Sequence, residues 1–155
     1  MPPERFPHDD PREWLNRARS NLIQAQDERA GVYLEDLCFQ AQQAAEKAFK
    51  SVFLHWQIRF PYIHDLAELV NLLEQGGVQV PPEIQAAVGL TDYAVEARYP
   101  GTAEPITHEE YRETIDLAEK VVRWAENIVG VKDASSSLQS PETQMGNDNR
   151  APQGS

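Results

Sequence analysis

Two side chains with complementary chemistry, Arg59 and His64, are separated by four residues. A histidine can move the proton of an RNA 2′-hydroxyl, and an arginine can stabilise the negative charge that develops on the attacked phosphorus. The pair could therefore support RNA cleavage without a metal ion. The alternative is structural: His64 caps or orients the next helix, and Asp65 is a favourable acid in the first turn of that helix.

A second candidate site is the segment Arg98-Tyr99-Pro100-Gly101. An arginine can bind a phosphate through two parallel hydrogen bonds, and a tyrosine can stack on a base. We therefore treat Arg98 and Tyr99, together with Asp65, as candidate ligand-binding residues. The structural alternative is a helix stop, in which Arg98 lies favourably near the carbonyl end and Tyr99 closes the core.

The overall charge limits how the chain could contact nucleic acid. Its 155 residues carry a formal net charge of −11, and the sequence pI is about 4.7. Binding of nucleic acid over a broad face requires clustered Lys and Arg side chains to neutralise phosphates. Any RNA contact must therefore be local, while the acidic body would suit association with a basic protein.

Other kinds of site have little support in the sequence. No Cys or carboxylate stands at metal-ligand spacing from His55, and the glycine-rich phosphate loops are missing, so we expect neither a metal nor a cofactor. The single cysteine, Cys38, excludes an internal disulfide and is expected to be a packed thiol rather than a nucleophile. Without a run of 18 apolar residues or an export signal, the protein is expected to be soluble and cytoplasmic.

Apolar spacing and cap residues predict an all-α fold, an up-down bundle of four main helices plus one shorter helix. The bundle should span residues 10–130, and the polar segment 131–155 should be a disordered tail. We expect the helices to run from about Asp10 to Glu28, Val32 to Ile58, His64 or Asp65 to Gly76, Pro81 to Ala97, and Thr107 to Val129. The third of these is the short one.

The second predicted helix has a stripe of small residues along one side. Its members are spaced three, four and seven positions apart, which lets a neighbouring backbone come close; they are Ala41, Ala44, Ala45 and Ala48. On the same helix, Glu46 and Lys50 have the spacing of a surface ion pair, which would contribute only about 0.2–0.5 kcal/mol. We expect that pair to aid solubility rather than activity.

Three blocks in order, Cys38–Ile58, His64–Val70 and Glu96–Gly101, resemble the HEPN family (higher eukaryotes and prokaryotes nucleotide-binding domain). The resemblance covers about residues 12 to 129. Arg59 and His64 are similar to the R-x4-6-H signature of HEPN ribonucleases, although here Phe60 and Pro61 place the pair in a loop between helices. Arg98, Tyr99 and Pro100 are similar to the RYP segment of many prokaryotic members.

The resemblance implies a homodimeric nucleotide- or RNA-binding module that acts with a nucleotidyltransferase partner, as in toxin–antitoxin pairs. The alanine stripe and its aromatic flank would support dimerisation, because they offer more packing surface than a small bundle needs. Arg59, His64 and Arg98 of two chains could then converge around a phosphate. Two alternatives remain: a metal-independent endoribonuclease that uses Arg59 and His64, and a non-catalytic dimeric adaptor.

Overall fold

The computed structural model describes residues 1–60, 62–94 and 104–130. The elements in these ranges are α1 (Pro11–Gln26), α2 (Leu34–His55), α3 (Leu66–Gln75), α4 (Pro82–Gln85), a 3₁₀ helix (Ala86–Ala94) and α5 (His108–Val129). No strand occurs among the described residues, and the all-α prediction is confirmed. The predicted tail, 131–155, lies outside the described residues.

Helix α2 is the centre of the fold and packs against α1, α3, α5 and the 3₁₀ helix. All four alanines of the stripe are completely buried, and so are Phe49 and Phe53 on its aromatic flank. The expectation of spare packing surface was wrong for the stripe, because a single chain already covers it, whereas Trp56 of the predicted flank is 54% exposed. The helix is also shorter than predicted, since Gln57 takes a left-handed conformation with φ of 58° just beyond its end.

The predicted starts of the first and last helices are confirmed. Asp10 accepts a hydrogen bond from the backbone N–H of Arg12 at 2.9 Å, with Pro11 as the first helical residue. At α5, Thr107 and Glu110 form a reciprocal capping box, in which each side chain accepts from the other's backbone N–H at 3.0 and 2.9 Å. These side chains satisfy N–H groups that a helix start leaves without intrahelical partners.

The fourth predicted helix differs in geometry from the expectation. Helix α4 has one turn, and the next residues, Ala86–Ala94, form a 3₁₀ helix rather than the predicted α-helix. The last predicted residues of this helix, 95–97, lie outside the described residues. The buried residues Ile84, Ala87 and Leu90 recur every three positions, which matches the 3₁₀ period. The geometry also lets the Thr91 hydroxyl accept a hydrogen bond from the Leu66 N–H at 2.9 Å, tying this segment to the start of α3.

The segment between α2 and α3, residues 56–65, is here named the α2–α3 loop. Its Phe60 ring meets the rings of Trp14 on α1 and Phe53 on α2, with centroid separations of 5.8 and 5.7 Å. This aromatic contact folds the loop back over the two helices. As a result, the end of the loop reaches the middle of α2.

Candidate functional site

His64, at the end of the α2–α3 loop, meets Glu46 in the middle of α2. Its Nδ1 atom lies 2.9 and 3.1 Å from the two carboxylate oxygens of Glu46. The two side chains differ sharply in exposure, because the histidine is 69% exposed and the glutamate only 3%. An exposed imidazole is thus anchored to a buried carboxylate.

Lys50 forms an ion pair with Glu46 in the interior of the fold. Its Nζ atom lies 2.8 Å from Glu46, and its side chain is 6% exposed. The ammonium also lies 5.7 and 5.5 Å from the ring centroids of Trp14 and Phe60, within range of cation–π attraction. The prediction of a surface ion pair was therefore wrong, because Glu46 and Lys50 form a buried ion pair.

A third polar side chain extends this row along α2. Gln42, which is completely buried, donates from Nε2 to Glu46 at 3.1 Å. Burial alone would raise the pKa of the Glu46 carboxyl, but the hydrogen bonds from Lys50 and His64 outweigh it and hold the pKa below its usual value. Glu46 is therefore ionised at neutral pH and can only accept hydrogen bonds.

The ionised carboxylate determines which tautomer His64 adopts. Because Glu46 can only accept, Nδ1 of His64 must carry the proton of their hydrogen bond. In the neutral imidazole, Nε2 then has an available lone pair. A ring held in this way can accept a proton from a ligand at its exposed nitrogen.

The other predicted site residues of this segment have different surroundings. Arg59 is exposed in the same loop, and no hydrogen bond or ion pair joins it to another described residue. Asp65 is exposed and caps α3, because its Oδ1 accepts from the Ala67 N–H at 3.0 Å. The capping role expected of the His64–Asp65 segment is therefore carried by Asp65, while Glu46 orients His64.

Two further predictions concern residues away from this loop. Arg98 and Tyr99, with the rest of the RYP segment, lie outside the described residues. Cys38 is completely buried, and burial raises the pKa of its thiol to about 11, so the predicted packed thiol is confirmed. Within the described ranges, no group of three metal-ligating side chains occurs and no helix could cross a lipid bilayer.

Sequence reasoning missed three features of this site. The spacing of Glu46 and Lys50 is typical of an ion pair on a helix surface. Their sequence neighbours Ala45 and Phe49 are core residues, however, and these neighbours were the signal that could have indicated burial. Tyr62 is 95% exposed and Trp56 is 54% exposed, both in the α2–α3 loop. The predicted loop position hinted at the exposure of Tyr62, whereas Trp56 was predicted to lie within the second helix.

Comparison with known proteins places the fold in a family. The sequence model of the HEPN domain matches residues 11–128, most of the chain. The chain belongs to the HEPN family. The predicted resemblance is thereby confirmed, and the helices that carry the His64–Glu46 contact all fall within the HEPN domain.

Solved structures agree with this assignment. The HEPN domain is similar to TT1696 from Thermus thermophilus, with 35% sequence identity and a TM-score of 0.67 over 76% of this chain and 97% of that one. It also shares the fold of ST0689, an archaeal HEPN homologue, with 24% identity and a TM-score of 0.63 over 77% and 98% of the two chains. No curated protein matches the chain significantly.

Proposed function

We propose that this HEPN domain is a nucleotide- or RNA-binding module whose ligand contacts the α2–α3 loop. The observation that supports this most directly is the exposure of three complementary groups in one short segment. Arg59 supplies an exposed guanidinium, and Tyr62 supplies a ring that is 95% exposed. His64 supplies an imidazole, and its side chain is 69% exposed.

Each of these groups matches one part of a single-stranded RNA. A base can stack on the tyrosine ring, and the guanidinium can hydrogen-bond a phosphate. The chain's net charge of −11 disfavours binding of RNA over a broad face, so RNA contacts should be local, and Arg59 supplies the cation in this loop. Arg98, Tyr99 and Asp65 remain proposed secondary contacts.

Replacing Tyr62 by alanine should weaken RNA binding about tenfold or more. Stacking of one base on an aromatic side chain contributes about 1–3 kcal/mol, and a ring this exposed has little part in the core. The measurement is fluorescence anisotropy with a labelled single-stranded RNA. Tyr33→Ala is the matched control, because Tyr33 is also highly exposed, at 75%, but precedes α2. Equal affinities for both variants would refute the proposed surface.

A second candidate function is metal-independent RNA cleavage, and the hydrogen bond between His64 and Glu46 favours it. Nε2 of His64 would take the 2′-hydroxyl proton, and the resulting O2′ would attack the adjacent phosphorus. Arg59 would stabilise the added negative charge, and the bond to the 5′-oxygen would break. The 5′-oxygen takes a proton from water, giving a 2′,3′-cyclic phosphate and a 5′-hydroxyl end.

We also propose that the module is a homodimer that acts beside a nucleotidyltransferase protein, as a component of a toxin–antitoxin pair. Membership of the HEPN family supports this, and exposed apolar side chains such as Ile23 and Trp56, at 66% and 54%, could lie in such contacts.

Light scattering after size-exclusion chromatography should give twice the mass of one chain, and co-expression with a neighbouring nucleotidyltransferase gene should give a joint peak. A monomer at high concentration with no joint peak would contradict the assembly. The non-catalytic adaptor would be favoured instead if the joint peak forms while Tyr62→Ala and His64→Ala leave RNA binding and cleavage unchanged.

A further inference from the structure

A cavity of about 330 Å³ lies between the N-terminal segment, α1 and α2. No residue of the α2–α3 loop is among those that line it, although Trp14 also contacts Phe60 of that loop. Two aromatic and four charged side chains are among those that line it, namely Phe6, Trp14, Arg5, Glu13, Arg17 and Lys47. A cavity of this size is at the lower end of the range for small-molecule sites.

The wall formed by the N-terminal segment is attached to α1 by specific hydrogen bonds. The Phe6 N–H donates to Glu13 at 2.9 Å, and the Trp14 indole donates to the His8 carbonyl at 2.7 Å. The Asn16 amide adds a third bond, to the Glu4 carbonyl at 2.8 Å. Three hydrogen bonds therefore hold the N-terminal wall of the cavity against α1.

The residues that line the cavity carry a net positive charge, whereas the whole chain carries a net negative charge. Three cations, Arg5, Arg17 and Lys47, face one carboxylate, Glu13, so the lining carries a formal charge of +2 in a chain of −11. The carboxylate is already engaged, because it accepts from the Nε atoms of Arg5 and Arg17 at 3.2 and 2.8 Å. These bonds use one donor of each guanidinium and leave its terminal nitrogens to bind an anion.

Lys47 gives independent support for an anionic occupant. Its Nζ atom donates to the Asn21 side chain at 2.9 Å, which leaves further donor hydrogens on the ammonium. Burial lowers the pKa of Lys47, and the nearby positive charges of Arg17 and Lys50 lower it further, while Glu46 opposes the change. A bound dianion would offset this repulsion and raise the pKa of Lys47 again.

We propose that this cavity binds a phosphate monoester of a nucleotide, with the phosphate on Arg5, Arg17 and Lys47 and the rest of the ligand near Trp14 and Phe6. A phosphate monoester carries a charge close to −2 at neutral pH, which matches the +2 of the lining. Aromatic walls suit the nucleoside part through stacking. This site is additional to the proposed RNA-binding loop and does not depend on it.

Calorimetry with the full chain tests the proposal, using 5′-AMP and adenosine as probes. We expect 5′-AMP to bind at least about tenfold more tightly than adenosine, and Arg17→Gln and Lys47→Gln each to weaken 5′-AMP binding by about tenfold. Arg123→Gln is the matched control, because Arg17 and Arg123 both form i,i+4 pairs with a glutamate and are 51% and 68% exposed. Thermal unfolding verifies that each variant is folded.

Three results would overturn the proposal: no heat with 5′-AMP at millimolar concentration, equal affinity for adenosine, or wild-type affinity in both Arg17→Gln and Lys47→Gln. Tyr62→Ala separates the two sites, because it should leave 5′-AMP binding unchanged while it weakens RNA binding. Competition by a 5′-phosphorylated oligoribonucleotide, but not by its 5′-hydroxyl form, would assign the phosphate to an RNA end. Binding of the mononucleotide alone would assign it to a free metabolite.

Discussion

Replacing Glu46 by leucine should lower the free energy of unfolding by about 3–5 kcal/mol, because it leaves the ammonium of Lys50 buried without its partner. Lys50 is 6% exposed, so water cannot take over the role of the lost carboxylate. The two rings near its Nζ atom, Trp14 and Phe60, supply only part of the missing stabilisation. Urea denaturation of purified variants measures the change.

The double variant Glu46→Leu/Lys50→Met should recover most of that loss, since two apolar side chains of similar volume often replace a buried ion pair without net cost. Asp116→Asn is the control for an exposed pair. Asp116 lies 3.1 Å from Lys120, and both are about half exposed, at 60% and 44%, so its loss should cost less than about 1 kcal/mol. Similar small losses in Glu46→Leu and Asp116→Asn would show that the buried pair is unimportant.

Replacing His64 by alanine should reduce RNA cleavage about 10²- to 10⁴-fold, the usual contribution of a positioned acid–base group. Stability should change little, because the side chain is 69% exposed. The assay follows a labelled RNA in the presence of EDTA and identifies the 2′,3′-cyclic phosphate product. If wild-type protein leaves the RNA intact under these conditions, the cleavage proposal fails and the binding proposal is judged by Tyr62→Ala alone.

His64→Asn separates the chemistry of the ring from its hydrogen bond. The asparagine amide can donate to Glu46 in place of Nδ1, but it cannot accept a proton at neutral pH. We expect this variant to be as inactive as His64→Ala while it retains wild-type stability. Cleavage at the wild-type rate in His64→Asn would mean that the imidazole only orients the loop.

Much of the fold could be predicted because helix ends and apolar faces are local properties of the sequence. The cap at Asp10, the capping box at Thr107 and the buried stripe from Ala41 to Ala48 each depend on residues within one helix. The 3₁₀ helix was not predicted because a short apolar pattern does not separate the two helix types. The three-residue spacing of Ile84, Ala87 and Leu90 indicates a 3₁₀ helix, but an α-helix also places residues three and four positions apart on one face.

The candidate site was less predictable because its contacts join distant parts of the chain. His64 and Glu46 are 18 positions apart, and their meeting requires Phe60 to fold the loop back against Trp14. Spacing alone cannot distinguish a buried ion pair from an exposed one, so Glu46 and Lys50 were assigned to the surface. The N-terminal residues Arg5 and Phe6 carried no periodic signal, yet they form one wall of the cavity.

The reactivity of Cys38 can be used to measure how often the helical bundle opens. As the sole cysteine, buried and with its pKa raised to about 11, it should resist alkylating reagents while the bundle is closed. Alkylation would then proceed only through molecules in which α2 has separated from its neighbours. The labelling rate of this one sulfur therefore reports the population of open molecules, and it needs no engineered probe.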